Sequence, residues 1–307
     1  MLTRCILVPL DGSAFSETAL PWAFHIAKAW DAGVEVATVH EPVPTLDYDL
    51  WEKASREWTD HYVKRVRERI AETVGLQVDG SVLAGSVPEA LERLVEEHDV
   101  DLVVMATHGR GPLSRAWLGS TADAFVRHTK APVLLVRPES EDVEVDLAAR
   151  PTIRHILVPL DGSREAEAVL EWARALAAVD GGRITLLRVF PYPEEFASAY
   201  LPHTVQINTE LLDEGRQRAR EYIEAEVAKL RDQGYEVDGD VVVDSSPAQG
   251  IVHWAGEHPV DVIAMATHGR GGVSRLLLGS VTDKVLRSAH IPVLAFRPPA
   301  AAKEDEA

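Results

Sequence analysis

Apolar positions fall into short unbroken runs separated by longer amphipathic stretches, and the pattern occurs twice. Cys5-Ile-Leu-Val8 is apolar throughout, so residues 4–10 read as a strand buried on both faces. Ser16 to Trp30 carry Ala19, Ala23, Ile26, Ala27 and Trp30 on one helical stripe, and Gly33 is the expected stop. Residues 34–40 read as strand two, 48–74 as a long charged helix and 77–83 as strand three. Ser86 is the expected cap of a third helix, with Pro88 in its first turn. Leu102-Val-Val-Met-Ala106 reads as strand four. A loop to Gly119, a helix from near Ser120 and a fifth strand, Val133-Leu-Leu-Val136, complete the unit. The second unit has strands near 155–160, 183–189, 236–243, 261–266 and 293–297.

Short apolar strands joined by helical crossovers require a parallel sheet with helices on both faces, and right-handed crossovers make it doubly wound. The duplication is also literal. Leu7-Val-Pro-Leu-Asp11-Gly12-Ser13 returns as Leu157-Val-Pro-Leu-Asp161-Gly162-Ser163, and Met105-Ala-Thr-His-Gly109-Arg110-Gly111 returns as Met265-Ala-Thr-His-Gly269-Arg270-Gly271. The first pair is offset by about 150 residues and the second by about 160, so copy two is expected to carry about ten extra residues, near Pro191 to Gly215. The expected domains are 1–138 and 152–298, with an acidic, solvated linker at 139–151 and a disordered tail at 299–307.

Composition narrows the function. A net charge of −18 repels a phosphate backbone and argues against a general nucleic-acid binder. No apolar run approaches the length of a membrane span, so no membrane partner is expected. The single cysteine, Cys5, excludes an intrachain disulfide and reads as an inert buried thiol. With no cleavable leader expected ahead of Cys5-Ile-Leu-Val8, the protein reads as cytoplasmic.

Ligands of doubly wound sheets sit beyond the carboxyl ends of the strands, where the winding reverses. Asp11 and Asp161 follow strand one; each is either the cap of a tight turn or a carboxylate for a ribose hydroxyl or a phosphate-bound metal. Pro9 and Pro159 cannot donate to a ladder, so pairing is expected to end there and the sheet to splay. After strand four come Ala106-Thr-His-Gly109 and Ala266-Thr-His-Gly269, then Gly119-Ser120-Thr121 and Gly279-Ser280-Val281. Glycines let a backbone curl close to an anion, and a helix N-terminus attracts phosphate; Ser120 or Ser280 is the expected cap. Arg110 and Arg270 either reach a phosphate or are solvated. His108 and His268 read as turn residues, since spacing offers no nucleophile beside them. Trp51, Trp58 and Tyr62 read as packing or interface residues on the long helix.

These motifs, with the closing Pro132-Val-Leu134 and Pro292-Val-Leu294, resemble the universal stress protein family in its tandem form, over about 2–138 and 152–298. The resemblance implies an adenine nucleotide alpha hydrolase-like fold, a parallel sheet in order 3-2-1-4-5. It implies ATP, with or without Mg²⁺ or Mn²⁺, held by a Gly-x2-Gly-x9-Gly-Ser/Thr loop. Gly109, Gly119 and Ser120 match that loop, as do Gly269, Gly279 and Ser280; Ala106 and Ala266 stand where its first glycine would be. It further implies that Asp11 and Asp161 face the ribose or phosphate–metal region, that Val39 and Val189 offer backbone groups to adenine, and that the fifth strands pair. That pairing makes an intramolecular pseudo-dimer and leaves a further homodimer open. The functions implied are a nucleotide-binding stress or signalling module with at most slow ATP hydrolysis, or an interaction scaffold with degenerate pockets. The loop sequences make the second copy the closer match, and so the expected tighter site.

Overall fold

The computed structural model describes residues 4–41, 48–107, 118–138, 144–191, 209–268 and 278–298. The first copy runs β1 (Cys5–Pro9), α1 (Ala14–Glu17), α2 (Leu20–Trp30), β2 (Gly33–His40), α3 (Tyr48–Val74), β3 (Asp79–Ala84), α4 (Val87–Glu97), β4 (Leu102–Ala106), α5 (Ser120–His128) and β5 (Val133–Val136). The second repeats it as β6 (His155–Pro159), α6 (Arg164–Glu167), α7 (Leu170–Ala177), β7 (Arg183–Pro191), α8 (Thr209–Asp232), β8 (Val237–Asp244), α9 (Pro247–Glu257), β9 (Val262–Ala266), α10 (Ser280–Ser288) and β10 (Val293–Phe296).

Both copies have the expected strand order, and they share one sheet: β3-β2-β1-β4-β5-β10-β9-β6-β7-β8. Neighbours within each copy are parallel, while β5 and β10 pair antiparallel about a pseudo-twofold axis beside Leu134↔Leu294. Pairing the two short apolar strands removes an edge that each copy would otherwise expose. Leu134 and Leu294 are fully buried, so cutting either to alanine leaves a cavity costing about 2–5 kcal/mol. One helix layer, with α2, α3, α7 and α8, packs on one face of the sheet; α4, α5, α9 and α10 pack on the other.

The seam carries polar ties as well. Arg127 bonds Asp123 at 2.8 Å and reaches Asp283 at 3.2 Å; Arg287 bonds Asp283 at 3.0 Å and reaches Asp123 at 3.1 Å. On the other face His25 Nε2 meets both Asp180 oxygens, at 3.0 and 2.9 Å, and Trp30 Nε1 donates to Ala175 O at 3.2 Å. Among the described residues no helix is long and apolar enough to cross a membrane.

Four local expectations are corrected. The first helix is broken: Thr18 and Ala19 N–H donate three residues back, to Phe15 and Ser16, before α2 begins. Copy two breaks at the same place with Glu171 where copy one has Pro21, so proline does not impose the break. Asp31, in the left-handed region at φ 53°, ends α2 by donating to Ala27 O; Gly33 opens β2 instead. Ser86 occupies the N-cap of α4 without a side-chain hydrogen bond. Within the stretch expected to be solvated linker, Val145 packs against the core and Leu147 is buried. The extra residues of copy two expected near Pro191 to Gly215 fall between β7 and α8, where 192–208 lie outside the described residues, as does the tail.

Candidate functional site

The site begins with a missing donor. In a parallel ladder, alternate residues of β1 bond to opposite neighbours: Cys5 O accepts from Asp101 N at the foot of β4, and Leu10 N donates to Ala37 O of β2. Pro9 falls in the set facing β4 and has no N–H to give. Pairing with β4 accordingly stops at Leu7↔Val103, whereas pairing with β2 runs on through Pro9↔Ala37. The expected splay is therefore one-sided, opening between β1 and β4. Pro159 repeats it: β6 pairs β9 only to Leu157↔Ile263, and β7 through Pro159↔Leu187.

Just past that opening, Gly12 and Gly162 take φ 83° and 78°, the left-handed region that favours glycine. Asp11 Oδ1 accepts from Ser13 N at 2.9 Å and Ser13 Oγ at 2.5 Å. Ser13 Oγ in turn accepts from Ser16 N at 3.2 Å and caps α1. Asp161 and Ser163 repeat the arrangement at α6, with Ser163 N at 2.9 Å from Asp161 Oδ1. Each carboxylate thus builds its own turn, and Asp11 also lines a cleft.

At the end of β4 the glycines do something other than expected. Gly119 N donates to Thr107 O at 2.8 Å, and Gly279 N to Thr267 O at 2.7 Å, so these amides close the loop onto the strand. A Cβ added at Gly279 would lie 2.8 Å from Thr267 O, which explains glycine there by close main-chain approach. Gly119 and Gly279 are themselves the N-caps, and Ser120 and Ser280 are the first helical residues, correcting the expected serine caps. The main-chain N–H groups of that first helical turn, including those of Thr121 and Val281, point out along the helix axis. Ala106 and Ala266 are buried at the strand ends, and Thr282 Oγ1 donates to Ala266 O at 2.8 Å. His108, Gly109, Arg110, Gly269 and Arg270 lie outside the described residues. His268 Nδ1 pairs with Thr267 Oγ1 at 2.9 Å, in keeping with a turn residue.

The structure brings Asp11, Val39 and Thr121 together in one cleft of about 630 Å³, over the carboxyl ends of β1 and β2. That volume is ordinary for a small-molecule site. Sequence reasoning missed its α3 wall. Thr38 is 4% exposed, and its Oγ1 is buried without a hydrogen-bond partner on the cleft lining. His40 Nδ1 pairs with Ser55 Oγ at 3.0 Å. Trp58, 46% exposed, stacks on Tyr62 with centroids 5.6 Å apart. Tyr62 is a packing residue, its hydroxyl donating to Glu17 Oε1 at 2.9 Å and its phenol held well above the ordinary range by burial and by Glu17. Trp58 instead is exposed and lines the cleft; period-3.6 reasoning groups it with Tyr62 and cannot separate them. The side chain of Trp51 lies outside those described. Val189, the counterpart of Val39, is buried beneath Gly250. Among the described residues, no three His, Cys, Asp or Glu side chains converge to hold a metal.

A model of the universal stress protein family matches residues 3–137 and again 152–297. The chain belongs to the universal stress protein family. Its similarity to other members spans both copies. A universal stress protein of Mycolicibacterium smegmatis is 27% identical over 303 residues, covering 95% of this chain and 97% of that protein. One from Mycobacterium tuberculosis is 27% identical over 316 residues, covering 96% and 95%. The crystal structure of a universal stress protein from Archaeoglobus fulgidus superposes with a TM-score of 0.72 at 19% identity, covering 97% of this chain and 99% of that one, and so shares the fold.

Proposed function

We propose that this universal stress protein is a nucleotide-binding stress-response or signalling module. ATP or another adenine nucleotide occupies the cleft at the ends of β1 and β2, and its occupancy alters partner binding. The observation that carries the reading is the buried, unpartnered Thr38 Oγ1 on the lining of a cleft that also gathers Asp11, Val39 and Thr121. An uncompensated buried hydroxyl is costly, and a side-chain rotation that brings it to a base nitrogen or ribose oxygen would relieve it. Asp11 would accept from a ribose hydroxyl, Val39 would offer its main chain to the base edge, and the first turn of α5 at Ser120 and Thr121 would face the phosphates. In copy two the corresponding positions are Asp161, Val189, Ser280 and Val281. Ala106 and Ala266 would back the nucleotide at the strand ends. Gly109, Arg110, Gly269 and Arg270, outside the described residues, are assigned to its phosphates by their place in the loop sequence. Mg²⁺ or Mn²⁺ would arrive on those phosphates, with Asp11 as a neighbouring carboxylate. The reading assigns no dedicated turnover. It adds a cytoplasmic location, from the lone cysteine, and no nucleic-acid partner, from the charge of −18.

A second reading, an interaction scaffold, has its own observation: the amides of Gly119 and Gly279 are already engaged by Thr107 and Thr267 carbonyls. A thermal melt separates the two. Ligand at 100 times its dissociation constant adds about 2.7 kcal/mol to a folded state that alone binds it. Millimolar ATP with Mg²⁺ is expected to raise the melting temperature by several degrees. No shift, together with no nucleotide released on denaturing the purified protein, supports the scaffold.

A further inference from the structure

The two copies differ where the cleft should repeat. Their equivalence is set by shared contacts. Tyr62 Oη donates to Glu17 and Tyr222 Oη to Glu167, which matches α3 to α8. Pro9↔Ala37 and Pro159↔Leu187 match β2 to β7. On this alignment Thr38 corresponds to Arg188, His40 to Phe190 and Ser55 to Gly215.

In copy one the wall between β2 and α3 is small and polar, and the cleft extends over it to Trp58. In copy two the same space holds large side chains. Arg188 turns back across the strand ends and donates from Nη1 to Leu160 O at 3.0 Å, beside Asp161. Its charge also acts on Tyr222, where it opposes the rise of the phenol caused mainly by burial and Glu167. The guanidinium therefore lies within electrostatic reach of the α8 interior. Phe190 fills the place of the His40–Ser55 pair: a Cβ added at Gly215 would sit 2.6 Å from its Cζ, so the ring rests against the α8 backbone. The glycine of α8 and the phenylalanine of β7 are one adjustment. The position of Thr121, half-buried and polar, is taken in copy two by Val281, which packs against the core.

We infer that the chain binds one nucleotide, in its first copy, because Arg188 and Phe190 occupy in the second copy the space that Thr38, His40 and Ser55 leave open in the first. The inference rests on the nucleotide-binding reading above, and it reverses the order expected from the loop sequences. Those sequences compare residues around Gly109 and Gly269. The difference that decides occupancy lies instead on β2 and α3.

Isothermal titration of the full chain with ATP and Mg²⁺ tests it. The expected result is one equivalent per chain. Thr38→Arg, which carries the copy-two residue into copy one, is expected to weaken binding at least 100-fold. Arg188→Ala is expected to keep the first-copy site within twofold. Tryptophan fluorescence supplies a reading independent of whether Thr38→Arg folds: nucleotide-dependent quenching is lost in Trp58→Phe and kept in Trp172→Phe. Two equivalent sites, or a single site that survives Thr38→Arg and disappears in Arg188→Ala, overturn the inference and leave nucleotide binding standing. Quenching kept in Trp58→Phe and lost in Trp172→Phe overturns it likewise. No heat and no quenching at millimolar ATP overturn the nucleotide reading and this inference with it.

Discussion

Gly279→Ala tests whether the glycine after strand four serves the backbone rather than a ligand. The new Cβ would lie 2.8 Å from Thr267 O, 3.7 Å from its carbonyl carbon and 3.8 Å from His268 Cα. All three are main-chain atoms, so no rotamer change relieves the contact. Easing it stretches the 2.7 Å bond from Gly279 N to Thr267 O. Losing that bond costs about 0.5–1.5 kcal/mol, and leaving a buried carbonyl poorly satisfied adds about 1–3 kcal/mol. The sum is about 1.5–4.5 kcal/mol, or a melting temperature lower by about 3–18 °C for a unit of this size. Gly256 is the control. It lies in the last turn of α9 with no atom within 4 Å of an added Cβ, so Gly256→Ala is expected to gain about 0.5–1 kcal/mol. Circular dichroism melts and urea titrations of the ligand-free variants read both signs. A Gly279→Ala protein that melts at or above the parent temperature refutes the reasoning, because the close approach would then carry no cost.

Two predictions concern titrating groups. Burial first, then the charges of Glu35, Asp101 and Asp79, push the Cys5 thiol up from 9.0 to about 11. At pH 8 its thiolate is then about 100-fold scarcer than that of an ordinary thiol, and disulfide-exchange labelling is expected to slow in proportion; labelling at the rate of a free thiol contradicts this. At the seam, burial pushes the Asp180 carboxyl up, but bonds from His25 and Ile153 N and the charges of His25 and Arg154 outweigh it, leaving it below its ordinary value of 3.8. A depressed carboxyl contributes stability that is present above its unfolded value and lost as pH falls through its folded one. The stability gap between the parent and Asp180→Asn is therefore expected to shrink as pH falls below about 4. A gap that widens there is the contrary result.

The architecture was legible in the sequence because it depends on periodicity and repetition. Unbroken runs such as Leu102–Ala106 can only be strands buried on both faces, and two copies of each motif give the same topology twice. Pairing of β5 with β10 was implied by the family resemblance, and it covers the edge that Val133–Val136 would expose. Details decided by single hydrogen bonds were not legible. Asp31 rather than Gly33 ends α2 because one carboxylate residue adopts φ 53°. Gly119 looks like an anion-cradling glycine, yet its amide is engaged by Thr107 O. The site was half legible. Asp11, Val39 and Thr121 do meet in one cleft, since strand ends and a helix start are set by topology. Thr38, Ser55 and Trp58 were not foreseen: they join the cleft through contacts between β2 and α3, which no local pattern encodes. If the chain binds one nucleotide in its first copy, as inferred above, the same blindness also inverts the expected ranking of the two copies, because the bond from Arg188 Nη1 to Leu160 O is not encoded in the loop sequences.

The most direct test of nucleotide binding is a crystal structure of the full chain grown with saturating ATP and Mg²⁺. The account predicts nucleotide density in the first copy, with ribose beside Asp11, a polar ligand atom within hydrogen-bond distance of Thr38 Oγ1, and Arg188 still on Leu160 O in the second. Ordered solvent alone in the first cleft, or nucleotide seated only after Arg188 has swung away, would contradict it.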